Sequence, residues 1–145
     1  MLRAALAIGL FIIPGSAFSR DYCEGNLCFQ KKARVSCLRP EVWSILHKVA
    51  ARVGRLEVTS GCDGRHAKRS YHYSGRAVDF RPMQASSRAA VAVLRTMPDV
   101  GGIGTYSNGL VHADVGARKF AWHGVRKPRI GYARYARARL AANAN

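Results

Sequence analysis

Apolar positions change period several times along the chain, and each change marks an element. Val42, Ile45, Leu46, Val49, Ala50 and Val53 recur at three- and four-residue steps, which places them on one face of a helix. Pro40 suits the first position of that helix and Gly54 its end. Residues 56–59 predict a short strand leading into a polar, glycine-containing loop over 60–69. The period then falls to two over residues 76–80, with Ala77 and Asp79 on one face and Val78 and Phe80 on the other. Ser86 predicts the cap of a second helix running to about Met97, with Ala90, Val93, Leu94 and Met97 inward. Residues 102–106 and 110–115 predict a hairpin around Ser107-Asn108-Gly109. In its second strand Leu110, His112 and Asp114 share a face, while Val111, Ala113 and Val115 pack on the other.

These elements predict an α+β fold: a small antiparallel sheet with helices on one side and a polar site on the other. Residues 20–36 read as a loop-rich, cysteine-bearing arm, 37–123 as the domain and 124–145 as a basic tail. Residues 1–19 read as a signal peptide: Arg3 is the basic start, an apolar run covers 4–13, Pro14-Gly15 breaks it, and Ala17 and Ser19 occupy the −3 and −1 positions. The apolar run is shorter than the ~20 residues a spanning helix needs, so an integral membrane protein is not expected. A periplasmic or secreted location in a bacterial envelope follows as the expectation. Cys23, Cys28, Cys37 and Cys62 fit that oxidising setting and allow three pairings. Cys23–Cys28 with Cys37–Cys62 is preferred, because the second bond would tie the first helix to the loop before residue 70.

The formal net charge of the whole chain is +16. Eight basic residues and no acidic ones follow Asp114, and Tyr132 and Tyr135 lie among them. Such a tail attracts polyanions, and for an exported chain these are wall carboxylates, wall phosphates and anionic lipid head groups; nucleic acid is not expected.

The chemistry concentrates in Ser70 to Asp79, SYHYSGRAVD, and in GLVHADVG around His112. His72, Asp79 and His112 make two imidazoles and one carboxylate, the donor set of a catalytic zinc that leaves its fourth position to water. Seven extended steps would part His72 from Asp79 by ~23 Å, and seven helical steps by ~10 Å. Both therefore reach one ion only if the chain turns back at Ser74-Gly75. His47, His66 and His123 read as ordinary surface side chains.

SYHYSGRAVD fits in full the S-x-H-x-x-G-x-A-x-D pattern of the zinc D-Ala-D-Ala carboxypeptidases and dipeptidases of bacterial cell walls. GGIGTYSNGLVHADVG resembles the second half of that family's site. The resemblance implies the fold shared with the hedgehog N-terminal signalling domain, one Zn2+ held by His72, Asp79 and His112, and hydrolysis of peptide bonds beside D-amino acids in peptidoglycan stems. A carboxypeptidase of this kind also binds the substrate's terminal carboxylate. The family's S-G-Y-R is Ser60-Gly61-Cys62-Asp63 here, so Arg65 and then Arg69 are the candidates, with Ser70 and Tyr106 as further substrate contacts. The family's general base precedes the last zinc ligand by two or three residues, where this chain has Leu110 and Gly109. Asp114 is the preferred base instead, with orientation of a ligand imidazole as its other possible role; Tyr106 and Asp63 are more distant options. A zinc-containing peptidoglycan-binding module without turnover is the alternative function, and a polyanion binder acting through the tail is a third.

Overall fold

A computed structural model describes residues 22–62 and 66–125. The signal-peptide reading, Asp63, Arg65 and the tail beyond residue 125 lie outside the described residues.

Helix α1 spans Pro40–Val53 and α2 spans Ser87–Arg95. Pro40 opens α1, Glu41 and Arg52 complement its dipole at the two ends, and Gly54 leaves it at φ 79°. The six apolar residues of its stripe are all buried. Ser86 caps α2 by accepting from the Ala89 amide at 3.2 Å. The second helix ends two residues before the predicted Met97, and Val91 joins Ala90 and Leu94 in its buried set.

Among the described residues seven strands form one sheet: β1 Tyr22–Glu24, β2 Leu27–Phe29, β3 Leu56–Ser60, β4 Ala77–Pro82, β5 Gly102–Tyr106, β6 Val111–Asp114 and β7 Phe120–Gly124. Their spatial order is β1-β2-β3-β4-β6-β5-β7. The sheet is mixed rather than antiparallel, because β2 runs parallel to β3 and β5 parallel to β7. Residues 20–36 are not only loop: they supply a hairpin that extends the sheet.

One face of the sheet packs against the helices, with Val58, Val78, Phe80, Ile103, Val111 and Ala113 in a single core with both helical stripes. Buried histidines and aspartates occupy the other face, as strand alternation in β4 and β6 requires. Disulfides join Cys23 to Cys28 and Cys37 to Cys62, the preferred pairing. Bonds of this kind persist in oxidising surroundings. No helix among the described residues is long and apolar enough to cross a membrane.

Candidate metal centre

Three local devices bring the polar side chains together. Opposite residues of an antiparallel pair lie on the same face, and Asp79 of β4 is opposite His112 of β6. His72 arrives from a short 3₁₀ turn, Tyr71–Ser74, which Ser70 caps by accepting from the His72 amide at 3.3 Å. Gly75 then reverses the chain in the left-handed region at φ 68°, and a Cβ there would collide with the Cys37 carbonyl. Third, a register shift between Val58 and Ser60 sets Ser60 opposite Asp79 and carries Gly61 towards the histidines.

His72, Asp79 and His112 are all buried. Their nearest polar atoms form a small triangle: His72 Nε2 to His112 Nδ1 is 3.1 Å, His112 Nδ1 to Asp79 Oδ1 is 2.8 Å, and His72 Nε2 to Asp79 Oδ1 is 3.3 Å. The circumradius of that triangle is ~1.8 Å, so a point ~2.0–2.1 Å from all three atoms exists just outside its plane. The outer ring nitrogens fix the proton positions. His72 Nδ1 lies 2.5 Å from the Gly61 carbonyl, which can only accept, so Nε2 turns its lone pair inward. His112 Nε2 donates to Asp114 Oδ2 at 3.3 Å, which directs Nδ1 to the triangle. The other Asp114 oxygen accepts from the Gly102 and Gly116 amides at 2.9 and 2.7 Å. Side chains at these glycines would displace that carboxylate or the Tyr71 ring beside it.

The electrostatics follow the contacts. Burial alone would raise the Asp79 carboxyl, but hydrogen bonds and attraction from His112 and His72 outweigh it and hold the group well below the usual carboxylate range. Burial alone would lower His112; its hydrogen bonds to Asp114 and Asp79 prevail and raise it to about 9 in the metal-free protein. Asp114 is likewise lowered, against the effect of burial, by His112 and the two backbone amides.

His66 belongs here too, although its sequence setting marks it as surface. His66, His72 and Asp79 offer ligand atoms that all lie within 4.8 Å of one another, so this cluster could hold a metal ion. The His66 ring, however, stacks on that of His72 with centroids 3.8 Å apart and planes 4° from parallel. Imidazole lone pairs lie in the ring plane, so two stacked rings cannot both aim at one ion. His72 and His112, inclined at 60°, can. The donor set with converging lone pairs is therefore His72, Asp79 and His112, with His66 packed against it and its Nε2 3.3 Å from Ser60 Oγ.

A cleft of about 750 Å³ opens over these groups. Ser70, Arg69 and Tyr106 line it, with Arg69 exposed. His66, Phe120 and Trp122 line it as well. Asp114 reaches it from behind the His112 ring, where its carboxylate hydrogen-bonds to His112 Nε2 and to the Gly102 and Gly116 amides. Sequence marks His66 as a surface side chain and gives no sign of a role for Trp122 or for the Gly61 carbonyl. Trp122 alternates with Phe120 on β7, and that two-residue step is the one local signal that could have found it.

Fold and site together define an α+β domain with a mixed seven-stranded sheet and a buried histidine–aspartate cluster able to hold a metal ion. No protein-family model matches the chain, and no curated protein matches it.

Proposed function

We propose that the chain is an exported zinc-dependent D,D-peptidase acting on peptidoglycan stem peptides, akin to the D-Ala-D-Ala carboxypeptidases whose motif it carries. The supporting observation is the triangle of His72 Nε2, Asp79 Oδ1 and His112 Nδ1, whose edges of 2.8–3.3 Å suit three ligands of one small cation. Bound there, zinc would supply a Lewis acid and lower the pKa of water towards ~7.

The protein's own groups do the rest. The Gly61 carbonyl and Asp114 hold the outer protons of His72 and His112, so each ring offers its inner nitrogen without rearranging. Asp79 stays ionised across the neutral range. Asp114 acts as the orienting residue of His112 rather than as the base preferred from sequence, because it faces the far side of the ring. Among the described cleft side chains, His66 can carry a proton and has a ring nitrogen within 4.8 Å of the ligand atoms of His72 and Asp79. Hydrolysis breaks the C–N bond, adding water's hydroxyl to the acyl carbon and its hydrogen to the departing amine. Arg69 stands at the cleft mouth, where an anionic substrate end would meet it.

One observation favours a second reading, a zinc-containing wall-binding module without turnover. Both carboxylates that line the cleft among the described residues, Asp79 and Asp114, are already engaged by histidine. The two readings separate in mass spectrometry of pentapeptide monomers and crosslinked dimers incubated with zinc-loaded protein, beside a chelated aliquot and His112→Ala. Loss of alanine from monomers, or conversion of dimers to monomers, only with zinc and His112 present supports the peptidase. Stoichiometric zinc with bound but intact muropeptides supports the module.

A further inference from the structure

The strand that closes the cleft on the side away from β4 is built as a flat aromatic surface. In β5, Gly102 lies opposite Phe120 of β7 and Gly104 opposite both Trp122 and His112. Register partners share a face, so Phe120 and Trp122 stand on the same side of the sheet as the metal cluster. The two glycines leave that face bare, and the Trp122 indole settles over Gly104: a Cβ there would lie 2.5 Å from its Cζ2. The indole meets the His112 ring at 5.0 Å between centroids. Phe120 continues outward, stacked on Trp122 at 5.5 Å and 21°, and is 60% exposed. The aromatic pair is thus continuous with the metal cluster at one end and open to solvent at the other.

We propose that Trp122 and Phe120 are a specificity subsite for the aliphatic side chain of a substrate residue two or three positions from the cleaved bond. The chain is thereby suited to crosslinked or oligopeptide arms rather than to a free terminal dipeptide. This rests on the peptidase reading and deepens it. The argument is one of length. The rings carry the apolar surface up to ~10 Å from His112, and an extended peptide advances ~3.3 Å per residue. A residue next to the cleaved bond stays over His112 and Trp122; only a longer arm covers Phe120. The hydrocarbon stem of a diamino acid, polar at its tip, matches a stacked aromatic floor with an open end. A cleft of about 750 Å³ also leaves room for such an arm.

The test compares kcat/KM for crosslinked dimers and for the free D-Ala-D-Ala dipeptide, which has no residue to reach Phe120, in zinc-loaded wild type, Phe120→Ala and Trp122→Phe. Phe120 is exposed, so its removal leaves the core intact. The ratio of dimer to dipeptide kcat/KM should fall about tenfold in Phe120→Ala through KM, the scale of a lost aromatic contact, and less in Trp122→Phe, which keeps a ring. An unchanged ratio in Phe120→Ala overturns the subsite. If wild type cleaves neither substrate, the peptidase reading fails and binding judges the subsite: calorimetry of intact dimers should then show affinity lowered at least fivefold in Phe120→Ala, and equal affinities overturn it.

Discussion

Replacing Asp114 by asparagine should weaken metal binding by reversing a tautomer, and the structure gives the reason atom by atom. Asp114 Oδ1 accepts from two backbone amides, while Oδ2 accepts from His112 Nε2. Asparagine has one acceptor oxygen and one amino group. Two fixed amide donors claim the oxygen, which leaves the amino group facing His112. Nε2 must then accept, the neutral ring carries its proton on Nδ1, and the lone pair that points at Asp79 and His72 is gone. Loss of an orienting carboxylate of this type costs about 10–100-fold in metal affinity, or ~1.4–2.7 kcal/mol. Asp114→Ala imposes no tautomer, so it should be the milder change. Competition titration with a chromophoric chelator gives the affinities, and the nitrogen shifts of His112 in the metal-free proteins, recorded above pH 9 where the ring is neutral, give the tautomers. Wild-type affinity in Asp114→Asn, or a proton still on Nε2, would refute the reasoning.

Other expectations follow from the same contacts. Gly102→Ala puts a Cβ 2.1 Å from Asp114 Oδ2, so it should lower metal affinity on the scale of Asp114→Asn although no ligand has changed; an unaltered titration would sink this. In the metal-free protein His112 is raised from 6.5 to about 9, so its stabilisation is fully present below pH ~6.5 and is lost as pH rises through about 9. Melts of chelated protein at pH 6, 7.5 and 9 should therefore fall in that order, and a rising series would contradict it. Metal competes with the same proton, so zinc affinity should climb with pH up to about 9. The Cys37–Cys62 bond spans a separation of 25 residues and the Cys23–Cys28 bond one of 5. Chain entropy then predicts stabilisation of ~3.5 against ~2 kcal/mol; urea unfolding of the two double-alanine variants should rank them so, and the reverse order would be fatal.

The parts of this fold that sequence revealed are those that local periodicity controls. Val78, Asp79 and Phe80 alternate in polarity, and the structure puts Val78 and Phe80 in the core and Asp79 on the opposite face. The stripe of α1 and the cap of α2 are equally local. The parallel pairs carry no such signal. Strand β2 has three residues inside a disulfide hairpin, and its place beside β3 depends on contacts nearly 30 residues away. Most of β7 is exposed, and the single Phe120–Trp122 step is too short a pattern to announce a strand. His66 sits in a polar loop, and its place comes from stacking on His72, a tertiary contact. Alternation could put Asp114 on the site face, but it could not say on which side of the His112 ring the carboxylate would lie.

The Cys37–Cys62 bond has a consequence beyond holding the chain. Gly61, next to Cys62, is pressed against Arg34, since a Cβ on it would lie 2.1 Å from the Arg34 carbonyl oxygen, and the Cys62 amide donates to that same oxygen. Its own carbonyl, clamped there, decides which nitrogen of His72 carries the proton. Oxidation of two thiols is thus mechanically linked to the placement of a hydrogen on a ring ten residues further along. Assembly then has a natural order: covalent closure first, tautomer second, cation last. A chain that never meets an oxidant would reach the third step with its donors unprepared.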